Sequence, residues 1–517
     1  MSGDGGRIEV VVFDTDGVVT RTAAVHFAAW KAVFDPFLAR HASGAEARPF
    51  TDADYRRHVD GIGRYDGVAA LLAARGVALE RGDPDDPPGD RTICALGNRK
   101  DAAFADAIHR HGVLPYLTTC RFIEEIRAAG VRTAVVSASR NCKMVLEAAG
   151  VSDLFEVRID GRDLDELGLP GKPDPAVFVE AAARLGVGPS RAAIVEDAVS
   201  GVRAGRAGGF ATVVGLDRTR RPEELTPDAD VVVPDAADLE LVDGRLRRAE
   251  HVRVRLSDLP GALDDTDLPR MVADRPVAVF LDYDGTLTPI VDRPQDALLA
   301  SDAADALAAL ARVCTVGIIS GRDLDDVAAL VDLDGLWLAG SHGFDVMAPD
   351  GGRHQFEQGA AALPALDAAE LALATVVELA PGAWVERKRF AIAVHHRAAD
   401  DGDVPALERA VGAIAAADPA LRMTGGKKIF ELRPAADWDK GKALRWLCGA
   451  AAVPSDALVV FIGDDVTDED ALDEVRRSGL GVVVGTEDRS SAAHDRADDP
   501  SQVAELLRRI RVEVSGA

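Results

Sequence analysis

Short apolar runs recur along the chain, and each is followed at once by acidic or hydroxyl side chains. Two of them begin similar segments, VVVFDTDG at residues 10–17 and VAVFLDYDG at 277–285. Apolar runs of this length without polar alternation predict strands that are buried on both faces of a parallel sheet. Later runs end at Ser137, at Glu196 and Asp197, at Ser320, and at Asp464 and Asp465. Open α/β sheets bind ligands at the carboxyl ends of their strands, so these polar residues are the first candidates for a site.

Segments with helical periodicity separate these runs, among them CRFIEEIRAAG, DPAVFVEAAARLG and KGKALRWLCGAAA. Strands that alternate with helices predict an α/β fold with a doubly wound, Rossmann-like parallel sheet. The pattern occurs twice, because Lys172 precedes Asp197 by 25 residues and Lys440 precedes Asp464 by 24. The sequence therefore predicts two related modules, each with its own parallel sheet.

Each module contains one long insertion, but in a different place. Asp14 and Ser137 lie 123 positions apart in the first module, whereas Asp282 and Ser320 lie 38 apart in the second. Ser137 and Lys172 lie 35 positions apart, whereas Ser320 and Lys440 lie 120 apart. Long insertions at the ligand end of a sheet are predicted to be lids. Helical periodicity predicts a helical cap at about 21–115, and alternating segments such as AWVERKRFAIAVHHR predict an α/β cap at about 342–433.

These patterns place the first module at residues 1–243, a linker at 244–275 and the second module at 276–517. The linker contains mixed charges, proline and glycine. A solvated connector is favoured over a docking surface formed by its arginines.

Composition narrows the partners and the location. The net charge of −27 argues against nucleic acid and anionic membranes as partners, and any phosphate site needs local cations. The sequence shows no amino-terminal signal pattern and no apolar run near the ~18 to 20 residues of a membrane span, so we expect a cytoplasmic protein. Five dispersed cysteines without a C-x-x-C pair argue against a disulfide framework and a zinc site.

The spacing of the paired aspartates suits phosphoryl transfer. Residues i and i+2 after a strand can point to one place once the chain turns, and glycine permits that turn. One carboxylate can attack phosphorus while the other protonates the leaving oxygen and later deprotonates water. Carboxylates this close require a hard cation, Mg²⁺, whose coordination a later carboxylate completes. A lysine would neutralise the aspartyl-phosphate, and a hydroxyl or N–H at the serine would hold an oxygen.

Each feature also has a purely structural interpretation. Ser137 and Ser320 could cap helices, Lys172 and Lys440 could lie on the surface, and the acids of GDDVTDED could form an exposed first helical turn. Placement at strand ends, order along the chain and matching spacing in both modules favour the catalytic interpretation.

In these residues the chain resembles the haloacid dehalogenase superfamily. Its four motifs match Asp14/Asp16, Ser137, Lys172 and Glu196/Asp197 in the first module, and Asp282/Asp284, Ser320, Lys440 and Asp464/Asp468 in the second. The second module is similar to the trehalose-6-phosphate phosphatases over about residues 276–511, through FLDYDGTL, IISGRD, GSHG, VERK, HHR, FELRP, DWDKGKA and FIGDDVTDED. The first is similar to the β-phosphoglucomutase subgroup, through FDTDGVVT, HFAAWK, GNRK, SASRN, GKPDP and EDAVSGVRAG.

For the second module the resemblance implies that Asp282 is the nucleophile and Asp284 the general acid and base. Mg²⁺ would be held by Asp282, the carbonyl of Asp284 and Asp464, and the phosphoryl group by Ser320 and Lys440. Sugar binding would involve Arg322, Glu386, Lys388, Lys428 and Glu431. Ordinary charged side chains on exposed strands are an equally open interpretation of the cap residues.

In the first module the resemblance implies the same chemistry. Catalysis would involve Asp14, Asp16, Ser137 and Lys172, and Mg²⁺ would be bound by Asp14, Asp16, Glu196 and Asp197. His26, Arg64 and Lys100 match the cap residues that hold a sugar bisphosphate in mutases of the subgroup. Two departures weaken the mutase interpretation: Arg21 replaces a typical aspartate, and LPYLTTCRF lacks the usual Pro-Gly.

The sequence thus predicts a Mg²⁺-dependent phosphatase that hydrolyses trehalose 6-phosphate to trehalose and phosphate in its second module. Two alternatives for the first module stay open. It could catalyse its own reaction, as a β-phosphoglucomutase or sugar phosphatase, or it could be a binding or scaffolding unit without catalysis.

Overall fold

The computed structural model describes residues 7–250, 252–291, 293–426 and 428–516, and the chain divides into two folded units. The first unit contains the chain up to Leu259 and then Asp265–Ala273. The second contains Pro260–Asp264 and the chain from Asp274 onward. Met1–Gly6, on which the expectation of no signal sequence partly depends, lie outside the described residues.

The core of the first unit is a six-stranded parallel sheet, as predicted. The strands of this unit are β1 (Val10–Asp14), β2 (Arg132–Val136), β3 (Val157–Ile159), β4 (Ala192–Glu196), β5 (Thr212–Leu216), β6 (Val231–Val233), β7 (Leu239–Val242), β8 (Arg245–Arg248) and β9 (Val254–Arg255). The sheet order is β3-β2-β1-β4-β5-β6, and β7 and β8 form a separate hairpin. Val10 and Val12 pack in one apolar cluster while Val11 and Phe13 pack in another, so both faces of β1 are buried.

Helices cover this sheet and form its cap. They are α1 (Ala23–His41), α2 (Asp52–His58), α3 (Arg64–Ala74), α4 (Ile93–His111), α5 (Leu117–Ala128), α6 (Cys142–Ala148), α7 (Gly161–Leu167), α8 (Ala176–Arg184), α9 (Val199–Ala207), α10 (Pro222–Leu225) and α11 (Leu268–Val272). The first four lie between β1 and β2 and have their own apolar core, which includes Trp30, Phe34, Phe37, Phe50 and Leu71. The helical character predicted for this cap is confirmed.

The second unit is built on an eight-stranded sheet with a separate four-stranded sheet in its cap. The strands are β10 (Val277–Leu281), β11 (Thr315–Ile319), β12 (Trp337–Gly340), β13 (Asp345–Met347), β14 (Arg353–Gln355), β15 (Trp384–Lys388), β16 (Ala391–His395), β17 (Leu421–Gly426), β18 (Ile429–Pro434), β19 (Leu458–Gly463), β20 (Leu480–Val484), β21 (Ser490–Ser491) and β22 (Asp495–Ala497). The helices are α12 (Ser301–Leu310), α13 (Leu324–Val331), α14 (Glu357–Val376), α15 (Val404–Ala417), α16 (Lys440–Ala450), α17 (Glu469–Val475) and α18 (Pro500–Gly516).

The main sheet of the second unit is mixed rather than wholly parallel. Its order is β14-β13-β12-β11-β10-β19-β20-β22, and β13 and β14 run antiparallel to their neighbours. These two strands fall inside the segment predicted as cap from residue 342, so that boundary is a correction. Arg353 of β14 pairs with the buried Asp345 of β13, and this ion pair joins the two strands of the hairpin.

The cap of the second unit is a four-stranded antiparallel sheet with one apolar and one polar face. Its order is β15-β16-β18-β17. Ile392, Val394 and Leu432 pack with residues of α14 and α15 in the apolar core of the cap. Neighbouring positions on the strands point to the opposite face. The α/β character predicted for this cap is confirmed.

The segment Asp265–Ala273, which we call the strap, packs against the first unit instead of forming part of a solvated connector. Its Arg270 is 4% exposed, and its Nε donates to Asp52 at 3.0 Å. The same guanidinium lies 3.4 Å from Asp60 and over the ring of Tyr55. All three partners belong to the cap of the first unit, at α2 or just after it. The expectation of a solvated connector is therefore wrong for this stretch.

One helical segment among the described residues, Glu357–Leu379, has the length and composition of a membrane span. Leu366 and Leu373 on its apolar side lie in the cap core, and Asp367 and Glu370 on its polar side pair with Arg387. These contacts identify it as an amphipathic cap helix.

Candidate active sites

In the second unit, the carboxyl ends of β10 and β19 and the start of α16 meet at one place. Asp282 follows β10, Asp464 follows β19, and Lys440 is the first residue of α16. Lys440 is 3% exposed, and its Nζ donates to Asp282 at 2.7 Å and to Asp468 at 2.6 Å. The surface interpretation of this lysine is wrong, because its ammonium is buried between two carboxylates.

Asp468 completes an acidic group with Asp282 and Asp464, although the sequence analysis gave it no role. One oxygen from each of the three carboxylates lies within 4.8 Å of the others. Asp468 also accepts the backbone N–H groups of Asp464 and Asp465, at 3.0 and 2.9 Å. Burial, together with the charge of Asp468, raises the pKa of Asp464 to about 7. Burial likewise raises the pKa of Asp282 well above its usual range, although Lys440 opposes the shift.

The glycine after the paired aspartates is required by this geometry. Gly285 has φ of +81°, and a Cβ on it would lie 2.1 Å from Oδ2 of Asp464. In the first unit, Gly17 has φ of +80°, and its Cβ would lie 1.8 Å from Oδ2 of Asp197. Any side chain there would displace a carboxylate of the acidic group, so the D-x-D-G pattern has a steric cause as well as a conformational one.

Asp284 does not join the acidic group through its side chain. The guanidinium of Arg322 donates to both carboxylate oxygens of Asp284, at 2.6 and 2.5 Å. The backbone N–H of Arg322 donates to Oγ of Ser320 at 3.1 Å. Helix α13 begins after Asp323, so Ser320 is not its N-cap residue. The carbonyl of Asp284 remains the predicted metal ligand, and its carboxylate is engaged by Arg322.

His342, in the GSHG segment, is a further site residue to which the sequence analysis assigned no role. Its backbone N–H donates to the carbonyl of Ser320 at 2.8 Å, and it adopts the left-handed φ of +58°. Burial first, and then the positive charges of Arg433, Lys440 and Lys388, hold its pKa well below the usual range. The neutral imidazole therefore marks a place where cations from the cap and the core converge.

Three of the predicted sugar ligands lie together on the polar face of the cap sheet. Glu386 and Glu431 flank Ala393 in one row across β15, β16 and β18. Lys388 lies on the same face as Glu386, with its Nζ 3.6 Å from Glu431. Nζ of Lys428, in contrast, pairs with Asp401 at 2.6 Å in an exposed position outside this row.

The first unit repeats the catalytic arrangement. Lys172 is buried and donates to both Asp14 and Glu196, and Asp14, Glu196 and Asp197 form a second acidic group within 4.8 Å. Glu196 thus occupies the place that Asp468 has in the second unit. Burial raises the pKa of Asp197 well above its usual range, with Asp60 adding to the shift. The surface interpretation of Lys172 is also wrong.

Asp16 is engaged by the cap of the first unit rather than by an arginine. It accepts from Thr22 and, at 3.1 Å, from Oγ of Ser137. Nε2 of His26 lies 3.3 Å from it, and Nζ of Lys100 lies 2.6 Å from Nδ1 of the same histidine. Burial lowers the pKa of Lys100 to about 8 and, with the charge of Lys100, lowers the pKa of His26. Of the three predicted cap ligands, His26 therefore contacts Asp16 directly, and Lys100 contacts His26.

Arg64, the third predicted cap ligand, pairs with Asp101 at 2.8 Å. Both residues line the same cavity as Asp14, Lys172 and His26. All predicted site residues of the first unit except Ser137 line this cavity, and Ser137 contacts it through Asp16.

The acidic groups fit Mg²⁺ by the chemistry of their donors. Each group offers carboxylate oxygens alone, the ligands that hard divalent cations prefer, and includes no histidine or cysteine. Each sets one buried lysine against three carboxylates, so negative charge is left uncompensated. Burial first, and then the charge of Asp468, raise the pKa of Asp464 at this site.

Two protein-family models match the chain: a haloacid dehalogenase-like hydrolase over residues 8–209 and a trehalose-phosphatase over residues 280–501. A trehalose-phosphate phosphatase of Mycobacterium leprae is 38% identical over 418 residues, which cover 78% of this chain and 94% of that protein. The chain belongs to the trehalose-phosphate phosphatase family. Because that alignment is longer than the second unit, the similarity to a trehalose-phosphate phosphatase extends into the first.

Two further relatives complete the comparison. An uncharacterized glycosyl hydrolase of Mycobacterium tuberculosis is 42% identical over 520 residues, covering 98% of this chain. This chain spans 38% of the length of that relative. The structure of a β-phosphoglucomutase from Clostridium difficile has 22% identity and a TM-score of 0.36, covering 44% of this chain and 92% of that one. The predicted tandem of a haloacid dehalogenase-like module and a trehalose-phosphatase module is confirmed by the two family models.

Proposed function

We propose that the second unit hydrolyses trehalose 6-phosphate to trehalose and phosphate through a phosphorylated Asp282. Membership of the trehalose-phosphate phosphatase family supports the substrate. The observation that carries the chemistry is the buried Lys440, whose ammonium touches the proposed nucleophile and Asp468 at once. This contact fixes the carboxylate at the strand end and leaves a cation beside the oxygens of an incoming phosphoryl group.

The reaction proceeds in two displacements. An oxygen of Asp282 attacks phosphorus, the bond from phosphorus to the sugar oxygen breaks, and Asp284 gives that oxygen a proton. Water then attacks the aspartyl-phosphate, Asp284 takes a proton from it, and phosphate leaves with the Asp282 carboxylate restored. Ser320 and Lys440 hold the non-bridging oxygens throughout.

Mg²⁺ would be held by the carboxylates of Asp282 and Asp464 and by the carbonyl of Asp284. When bound, it would neutralise charge on the transferring phosphoryl group. Before the first step Arg322 must release Asp284, because both oxygens of that carboxylate accept from the guanidinium. An incoming phosphate offers Arg322 an alternative anion, so substrate binding releases the Asp284 carboxylate, which then takes up a proton from solvent and can pass it to the leaving sugar oxygen.

The cations near His342 favour the binding of an anionic substrate by a protein with a large net negative charge. With a net charge of −27, an anionic sugar phosphate is repelled by the protein as a whole. Arg433, Lys440 and Lys388 all lower the pKa of the His342 imidazole, so cations of the cap and of the core lie near one another at the site, where each also pairs with a carboxylate. We propose that this cluster, with Glu386 and Glu431 beside it, receives the phosphorylated sugar in a cytoplasmic enzyme.

The test is phosphate release from trehalose 6-phosphate by the parent chain, Asp282→Asn and Asp14→Asn. We expect Asp282→Asn to lose hydrolysis and Asp14→Asn to keep most of it. Rapid acid quenching of the parent should trap a phosphorylated chain that is missing in Asp282→Asn. Full hydrolysis by Asp282→Asn would refute the assignment.

A second candidate function is catalysis of a separate sugar-phosphate reaction by the first unit. It is favoured by the contacts that run from Lys100 to His26 and from His26 to Asp16. These contacts join the cap to the proposed acid and base, as a catalytic module would need. The same variants are assayed for conversion of β-glucose 1-phosphate to glucose 6-phosphate and for phosphate release from both. Turnover lost only in Asp14→Asn supports a bifunctional chain, whereas no turnover in the parent supports a scaffolding unit.

A further inference from the structure

Trp384 is a large apolar side chain on the face of the cap sheet that also carries Glu386, Lys388 and Glu431. It is 53% exposed, yet its indole stacks on the ring of His395 with centroids 4.0 Å apart and planes 10° apart. Nε2 of His395 in turn lies 2.8 Å from Oε2 of Glu386. The indole is therefore held in place by the ring of His395, which itself contacts the carboxylate of Glu386. About half of the Trp384 side chain remains exposed.

Its place along β15 relates it to the catalytic loop. Trp384, Glu386 and Lys388 alternate along the strand, so their side chains share one face. Directly after the strand, the backbone N–H of Arg389 donates to both oxygens of Asp323 at 2.9 Å, in the loop that contains Ser320. The Lys388 end of β15 thus lies beside the catalytic loop. Trp384 lies roughly 13 Å from that end, because four residues of a strand extend about 3.3 Å each.

The surface between these two ends is polar. Glu386 and Glu431 lie on either side of the buried Ala393 on the neighbouring strands, and Lys388 reaches to 3.6 Å from Glu431. A sugar ring has an apolar C–H face and a rim of hydroxyl groups, so it matches an aromatic face bordered by carboxylates. In a disaccharide phosphate, the sugar ring joined to the phosphorylated ring would lie at the Trp384 end of the strand.

We propose that Trp384 is a specificity-determining residue that stacks on the sugar ring distal to the phosphate, with Glu386 and His395 binding hydroxyls of that ring. The inference rests on the proposed function, because it assumes a disaccharide phosphate as the substrate. It explains why a bulky apolar side chain is fixed at a solvent-exposed position on a polar face. A monosaccharide phosphate held at the catalytic loop is too short to reach it.

The experiment compares the full-length parent with Trp384→Ala and Trp384→Phe on trehalose 6-phosphate and on glucose 6-phosphate. We expect Trp384→Ala to raise KM for trehalose 6-phosphate about tenfold with kcat within about twofold, and Trp384→Phe to fall between it and the parent. KM for glucose 6-phosphate should change far less. Trp446→Ala is the matched control, since this half-buried tryptophan contacts His354 on another element.

The outcomes separate this inference from the proposed function. If the parent hydrolyses trehalose 6-phosphate and Trp384→Ala leaves its KM unchanged, the stacking role alone is overturned. An equal rise of KM for both substrates also overturns it, because it would indicate a general disturbance of the cap. If the parent releases no phosphate from trehalose 6-phosphate, the proposed function fails and the inference fails with it.

Discussion

The raised pKa of Asp464 makes Mg²⁺ binding to the second unit depend on pH. Its carboxyl has a pKa of about 7 in the metal-free protein, because it is buried beside Asp468. Only the ionised form binds a cation, so the proton and Mg²⁺ compete. About 90% of the group is ionised at pH 8 and about 1% at pH 5, which lowers the affinity roughly 100-fold, or about 2.7 kcal/mol. The raised pKa of Asp282 can only steepen this fall.

The assay is calorimetric titration with MgCl₂ at pH 8, 7, 6 and 5 and constant ionic strength. An Asp197→Asn background removes one ligand from the acidic group of the first unit, so the signal comes from the second. Asp464→Asn in that background should abolish binding. Asp456→Asn is the control, because this exposed residue lies outside the acidic group and the variant should keep the pH dependence. An affinity that stays constant from pH 8 to pH 5 would refute the reasoning.

Three further predictions follow from contacts in the two units. Lys440→Met should reduce kcat for phosphate release by about 10² to 10³, because the transferring group loses a buried cation; an unchanged kcat would contradict this. Arg270→Met should destabilise the first unit by about 3 kcal/mol in denaturant unfolding, since Asp60 and the buried Asp52 lose the arginine that they share, and an unchanged midpoint would argue against that role. Gly285→Ala should abolish Mg²⁺ binding measured by calorimetry, whereas Gly335→Ala, with a similar φ of +83° but no atom within 4 Å, should retain it.

The central strands could be predicted because each carries its signal locally. Val10–Asp14 and Val277–Leu281 are continuous apolar runs that end in acids, and both form the middle of their sheets. The hairpin Asp345–Gln355 carries no such signal, because its strands are three residues long and their partner, β12, is identified only in three dimensions. The sequence pattern therefore assigned it to the cap.

The site residues divide in a similar way. Asp282, Lys440 and Asp464 lie at strand ends or a helix start, where the alternation of strand and helix predicts convergence. His342 could have been found only through the GSHG segment, whose loop conformation has no periodic signature. Arg270 could not be predicted at all, since its partners lie 218 and 210 residues earlier in the chain.

The strap determines how the two halves of the chain can be studied separately. A fragment that stops at residue 243, the boundary suggested by composition, would lack Arg270, which pairs with both Asp52 and Asp60. A fragment beginning at residue 244 would carry that arginine away from the fold it completes. Poor solubility or missing turnover of either piece would then reflect the cut and not the chemistry. Point variants in the intact polypeptide are the sound way to assign activities to each half.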